Sequence, residues 1–272
     1  PYNIFKMGQS LIFAIFSFQK WSSSDLQVQY TPRDGEKRMG DLLQTSELAS
    51  AKYVIVGVEE CCGPLANNGR SGAQNAFSSF IKAYLNTQAH NQHPNESIHV
   101  LGKVIENTGD SNESLSDKVI ELDNFLQKIL ETYLNSNQVP IIVGGGHNNA
   151  YGNIKGTALA KGKPINAINL DAHSDFRILE GRHSGNGFSY SFDEGFLKKY
   201  FIFGLHESYT SKNVLLRLKD LEDRVRFNTY DEISIRKVKN FEQELNQALS
   251  FIKNDCFGIE IDLDSIPNIA SS

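Results

Sequence analysis

Three short segments carry most of the residues able to do chemistry. Asn169-Leu170-Asp171-Ala172-His173-Ser174-Asp175 sets an imidazole between two carboxylates at alternate positions. In extended backbone, alternate side chains share a side, so Asp171, His173 and Asp175 can converge. Mixed imidazole and carboxylate donors suit Mn, Zn or Fe(II). A surface turn with solvated charges is the competing reading. Glu260-Ile261-Asp262-Leu263-Asp264 alternates acids with apolar residues on a strand expected to be buried. Carboxylates there are costly without a partner, and a cation would supply one. A strand with one wet face would need none. His147 follows Gly144-Gly145-Gly146, where glycines permit a tight turn and close ligand approach. The Lys-Ser/Thr of a phosphate loop is absent, which excludes nucleotide binding on that motif. Alone, His147 reads as a structural residue. Jointly, the segments offer two histidines and four aspartates, the inventory of a two-metal centre with ions about 3.5–4 Å apart.

The elements that must position these residues follow from hydrophobic periodicity. Short apolar runs at 53–58, 97–104, 139–143, 165–170, 200–205, 224–228 and 256–263 read as strands. Residues 73–85, 115–134, 148–161, 214–221 and 241–253 read as helices. Residues 59–72 and 107–112 read as loops. Alternating strands and helices predict an α/β fold, a mainly parallel sheet with helices on both faces. Ligands of such sheets sit at the carboxyl ends of strands. His147, Asp171, Asp262 and Asp264 all fall at predicted ends or on the last strand.

The chain has 272 residues and a formal charge of −5. No basic excess is present to displace counterions, which argues against nucleic acid as a partner. Cys61, Cys62 and Cys256 are odd in number and form no disulfide framework, so a cytoplasmic, reducing location is expected. The apolar stretch Leu11–Phe18, with Lys6 before it, has the look of a weak signal-peptide core. It is far short of the roughly 20 residues that span a bilayer. A buried helix or strand is the preferred reading, and no membrane partner is expected.

The Gly-Gly-Gly-His147, Asp171-Ala-His173-Ser-Asp175 and Asp262-Leu-Asp264 segments resemble, in order and spacing, the metal motifs of the ureohydrolases. That family includes arginase, agmatinase and formimidoylglutamase. The resemblance runs from about Tyr53 to Pro267. It implies a three-layer α/β/α domain over 49–272, C-terminally incomplete, after an unassigned segment 1–48. It also implies a binuclear manganese site, two Mn2+ per chain, with His147, Asp171, His173, Asp175, Asp262 and Asp264 as ligands. By the same resemblance Asp171 and Asp262 bridge the ions, with His147 and Asp175 on one and His173 and Asp264 on the other. Two divalent ions lower the pKa of a shared water toward neutrality. The implied reaction is hydrolysis of a C–N bond in an amidine or guanidine, with Asp264 as proton carrier.

Details of the loops lean toward formimidoylglutamase, which converts N-formimidoyl-L-glutamate to glutamate and formamide. Asn67-Asn68-Gly69-Arg70-Ser71-Gly72-Ala73 is similar to a loop of those enzymes, which makes Arg70 a candidate for substrate binding. Gly146 stands where arginases and agmatinases usually carry Asp. Arg177 could clamp a substrate carboxylate with paired hydrogen bonds. Ser184-Gly185 matches the same enzymes, with Ser184 and Asn186 as substrate-binding candidates and His183 as a candidate proton shuttle. Asn186-Gly187 departs from the usual Thr-Pro, as Ser265-Ile266 departs from the usual acid-Pro pair. His206-Glu207 marks another loop on the same side. The alternatives are a guanidino hydrolase releasing urea and a non-catalytic metal-binding homologue. A zinc deacetylase fits less well, since one zinc does not need four aspartates. The family resemblance also implies a trimer or hexamer.

Overall fold

The computed structural model describes residues 5–7, 10–12, 15–90, 98–107 and 113–269. Ten strands and nine α-helices are described. In chain order they are β1 (Phe5–Met7), β2 (Ser10–Ile12), β3 (Phe16–Lys20), α1 (Ser23–Gln27), α2 (Met39–Leu43), β4 (Tyr53–Glu59), α3 (Cys62–Ala66), α4 (Ala76–Leu85), β5 (Ile98–Glu106), α5 (Leu115–Tyr133), β6 (Val139–Val143), α6 (Asn149–Lys161), β7 (Ile165–Leu170), α7 (Gly187–Asp193), β8 (Leu197–Leu205), α8 (Lys212–Asp220), β9 (Val225–Thr229), α9 (Phe241–Ile252) and β10 (Phe257–Ile261). Most of the loop expected over 107–112 lies outside the described residues. The loop expected over 59–72 contains the short helix α3.

The strands form two sheets rather than the one expected. One has the order β1-β2-β3-β5-β4-β6 and the other β10-β7-β8-β9. Strands β4, β5 and β6 run parallel, as do all four of the second sheet. The first three strands are antiparallel, β3 pairing with β5 through Phe16↔Glu106 to Lys20↔Gly102. Part of the apolar stretch Leu11–Phe18 is thus strand, with Phe16 and Phe18 fully buried.

Side-chain alternation along the central strands explains the layers. Val54, Val56 and Val58 of β4 pack with Leu122, Phe125, Leu126 and Ile129 of α5. Ile55, pointing the other way, packs with Phe77, Ile81 and Leu85 of α4 and with Met39 and Leu43 of α2. In the second sheet, Ala167, Tyr200 and Ile202 meet Ala150, Ile154 and Ala158 of α6. Ile168, Phe201 and Phe203 meet Ala248, Phe251 and Ile252 of α9. Each buried Ile, Leu or Phe contributes about 1.5–3 kcal/mol, so two-faced strands hold helices on both sides. Side-chain caps start α5, α8 and α9, where Ser114, Ser211 and Asn240 accept from the backbone N–H three residues on.

Strand β10 departs from expectation. It was predicted to be buried, but Ile259 and Ile261 are 64% and 56% exposed. Among the described residues it lies at a sheet edge and pairs with β7 alone, and neither Ile259 nor Ile261 joins an apolar cluster of the core. Among the described residues no helix is long and apolar enough to cross a membrane.

Candidate metal centre

Three strands, each paired in parallel within its own sheet, deliver the candidate ligands at their carboxyl ends. β6 runs into the triple glycine and His147, β7 ends one residue before Asp171, and β10 ends one residue before Asp262. Asp262 N donates to Leu170 O at 3.0 Å, which locks the ends of β10 and β7 together. Strand alternation was expected to bring Asp171, His173 and Asp175 together, but β7 ends at Leu170 before them. The backbone leaves the strand there: His173 N donates to Asp171 Oδ1 at 2.7 Å. Asp175 has a left-handed φ of 43°, a conformation that costs about 1–2 kcal/mol for a residue with a Cβ. In the same way Asp264 N donates to Asp262 Oδ1 at 2.9 Å, in a short 3-10 turn.

The six side chains form two clusters that share Asp171. His147, Asp171, Asp175 and Asp262 make one; Asp171, His173 and Asp264 make the other. His147 Nδ1 lies 2.8 Å from Asp175 Oδ2, 3.0 Å from Asp262 Oδ2 and 3.5 Å from Asp171 Oδ2. His173 Nδ1 lies 2.8 Å from Asp264 Oδ2 and 3.6 Å from Asp171 Oδ1. Asp171 belongs to both clusters, whereas Asp262 falls in the first alone.

Electrostatics make the same point. Burial opposes a charge on His147, yet Asp175, Asp171 and Asp262 hold its imidazolium well above the ordinary value. Asp171 and Asp264 raise His173 to about 10. Burial raises Asp175 to about 6, with the Asp171 charge adding to it. Burial also works to raise Asp171, but His147 and His173 outweigh it and hold the carboxyl below its usual range. Both ring nitrogens of His147 are buried without a hydrogen-bond partner, although carboxylate oxygens surround Nδ1. Such an orphaned donor set, oxygen-rich with one imidazole per cluster, fits a divalent cation in each.

A second layer of side chains holds these residues in place. Glu60, buried just past β4, accepts from Gly146 N at 2.8 Å, Asn149 Nδ2 at 2.8 Å and Asn148 Nδ2 at 3.3 Å. It thereby pins the loop on either side of His147. Gly145 adopts φ 70°, and a Cβ there would press into Asn149 and Glu60. Asn169 Nδ2 donates to Asp171 Oδ2 at 2.8 Å. Arg182, buried, donates to Asp123, Asn148 O, His183 O and Asn186 Oδ1.

The clusters open on a cleft of about 1420 Å³. Arg70, Arg177 and Ser184 line it, together with His147, His173, Asp175, Asp262 and Asp264. Arg177 Nη1 donates to Asn67 Oδ1 at 2.7 Å, and its Nη2 pairs with Glu180. Asn67 Nδ2 donates to Ser184 Oγ at 3.3 Å. Two sequence candidates, His183 and Asn186, lie outside the residues that line the cleft. His183 is buried, with Nδ1 accepting from Gly185 N and Nε2 beside Glu180. Burial holds its pKa below the ordinary value. Asn186 is fully buried, accepting from Arg182 and His183 N and donating to Gly181 O. His183 caps the 3-10 turn Ser184–Asn186, and Asn186 is the N-cap of α7. Glu207 likewise pairs with Arg236 at 3.0 Å and does not line the cleft. Sequence reasoning missed Arg217, Glu180 and Tyr209, all lining the cleft. Arg217 lies over the Phe176 ring and donates to Arg177 O at 3.3 Å. No local spacing marks it, because it is one basic residue on an amphipathic helix.

Comparison with known proteins gives a consistent picture. The arginase family model matches residues 51–271. A formimidoylglutamase of Streptococcus pyogenes serotype M3 is 28% identical over 222 residues, covering 76% of this chain and 65% of that protein. The chain therefore spans slightly less than two thirds of the length of the curated relatives it matches. Among solved structures, the formimidoylglutamase of Bacillus subtilis superposes with a TM-score of 0.69 at 21% identity, covering 86% of this chain and 72% of that one. A Trypanosoma cruzi formiminoglutamase with Mn2+ superposes with a TM-score of 0.61 at 20% identity, covering 79% and 71%. These structures share the three-layer α/β fold.

Proposed function

Because the chain belongs to the arginase family, we propose that it is a metal-dependent hydrolase of a C–N bond in an amidine or guanidino compound, with N-formimidoyl-L-glutamate the favoured substrate and glutamate and formamide the products. One observation carries the reading. A single cleft is lined both by His147, His173, Asp175, Asp262 and Asp264 of the two clusters and by Arg70, Arg177 and Arg217. Such a cleft suits a molecule with an amidine at one end and carboxylates at the other. A substrate with no carboxylate would leave that basic wall unused. The names of the curated relatives agree with this choice.

His147, Asp171, Asp175 and Asp262 would hold one ion, and Asp171, His173 and Asp264 the other. Mn2+, two per chain, is our assignment, supported by the oxygen-rich donor set and by the Mn2+-bearing T. cruzi neighbour. When bound, the ions supply Lewis acidity and a water acidified toward neutral pH. The chain's own residues do the rest. Arg177, steadied by Asn67, exchanges Glu180 for a substrate carboxylate. Ser184 and Arg70 bound the substrate beside it. Asp264, at the mouth of the second cluster, carries the proton to the leaving nitrogen. His183 is too enclosed for that work. The three free cysteines fit a cytoplasmic location.

Product identification by NMR tests the proposal. The Mn-loaded chain is offered N-formimidoyl-L-glutamate, arginine, agmatine and guanidinobutyrate separately. Formamide with glutamate is the expected outcome, and Arg177→Ala should then raise KM for that substrate far more than it alters any agmatine turnover. Urea from another member of the panel overturns the substrate. No product from a chain holding two Mn overturns the catalytic reading in favour of a metal-binding homologue.

A further inference from the structure

His173 is the one candidate ligand that the fold leaves half exposed, at 48% of its side chain. His147, by contrast, is enclosed and set edge-on against Phe188 at 5.4 Å. An imidazole with a free face rotates among rotamers on a nanosecond scale unless something restrains it. Asp264 holds the Nδ1 edge at 2.8 Å, and an aromatic ring holds the face. The Tyr209 ring stacks on His173 with centroids 5.1 Å apart and planes 12° apart. Tyr209 stacks in turn on His206 at 5.1 Å, and His206 on Tyr230 at 4.7 Å. Four rings thus run from the second cluster to the turn after β9.

The backbone beneath this stack is anchored. Tyr209 closes the 3-10 turn Glu207–Tyr209 that follows β8. His206 N donates to Ala172 O at 2.9 Å, tying the turn to the residue before His173. Thr210 Oγ1 donates to His206 O at 2.9 Å, and Glu207 N to Asp231 Oδ2 at 3.1 Å. Tyr209 is 60% exposed and lines the cleft. Its ring stacks on both imidazoles, and Tyr209 is not among the residues of the buried core.

We propose that Tyr209 is a positioning residue for His173, its ring holding the imidazole plane so that Nδ1 stays aimed between Asp171 and Asp264. This rests on the metal reading above and concerns only the second of its two sites. Outer groups that orient a metal-binding histidine are worth about 10–100-fold in metal affinity when removed. The first site, with its enclosed His147, is untouched.

The test is an Mn titration of the metal-free full chain, followed by calorimetry and by the EPR signal of coupled Mn pairs. The wild type should take two equivalents. Tyr209→Ala should keep the first step and weaken the second by about 10–100-fold. Tyr209→Leu, which keeps apolar bulk without a flat face, should behave like Ala. Tyr209→Phe should titrate as wild type, because the ring plane and not the hydroxyl does the holding. A circular dichroism spectrum and melt matching the wild type exclude misfolding. Unchanged second-site affinity in both Ala and Leu variants overturns the proposal. So does a Phe variant as weak as Ala, or equal weakening of both sites. A wild-type chain that takes up no Mn overturns the metal reading itself, before any variant is compared.

Discussion

Replacing Arg182 by methionine should unfold more of this protein than any single change at the cleft. The guanidinium is buried and uses all its donors. Nε and Nη2 reach the Asp123 carboxylate at 2.8 and 3.2 Å, Nη2 also reaches Asn148 O at 3.1 Å, and Nη1 reaches His183 O at 3.1 Å and Asn186 Oδ1 at 2.5 Å. The rings of Tyr151 and Tyr190 lie 5.0 and 5.1 Å from it. Methionine keeps the apolar stem and removes all of these bonds. Breaking a buried pair by deleting one partner costs about 3–5 kcal/mol. At about 2–4 °C per kcal/mol for a chain of this size, Tm should fall by roughly 6–20 °C. Burial already raises the Asp123 carboxyl to about 6, against the pull of Arg182. Without Arg182 that pKa climbs further, and the carboxyl escapes its burial cost by staying protonated. The deficit should therefore be smaller at pH 6 than at pH 8. Urea unfolding at both pH values measures it. The apolar pair Asp123→Leu with Arg182→Met should recover at least half of the loss, since the stranded charge is then gone. A deficit under about 1 kcal/mol, or a double variant no better than Arg182→Met alone, refutes the reasoning.

Asp171→Asn should abolish both Mn steps in a titration, because Asp171 belongs to both clusters, whereas Asp264→Asn should abolish one; equal losses would contradict the shared role. Gly145→Ala should destabilise the chain by about 1–3 kcal/mol and loosen Mn uptake at the His147 site, since its φ is 70° and Glu60 and Asn149 occupy the space of a Cβ; a wild-type melt would show that the loop can relax. Burial holds the His99 imidazole below its ordinary value. The folded state keeps it neutral while the unfolded state protonates below about 6.5, so its stabilisation is present above that pH and is lost as pH falls from there. His99→Gln should accordingly show a shallower fall in Tm between pH 7 and 5 than the wild type, and parallel curves would remove His99 as a cause.

The candidate ligands were legible in the sequence because each set comes from a few consecutive residues. Asp171, His173 and Asp175 lie within five positions, as do Glu260, Asp262 and Asp264, and no fold can carry such neighbours far apart. Strands and helices with a clear apolar period, such as β7, α5 and α9, were legible for the same reason: the period records which face is buried. Tertiary structure decided what depends on contacts across the chain. Asp123 meets Arg182 over 59 positions, and Glu60 meets Gly146 over 86; no spacing announces either pair. His183 and Asn186 looked like site residues by their neighbourhood, yet the turn before α7 directs them inward. Ile259 and Ile261 are exposed because no apolar cluster of the core reaches their face of β10, and hydrophobic alternation cannot say what packs on a strand's face. Tyr209 and Arg217 became parts of the cleft only because β8, β9 and the segment after β7 set their turns and helices side by side. Local order determined which atoms can bind a cation, and packing between distant segments determined which side chains aim, brace and enclose them.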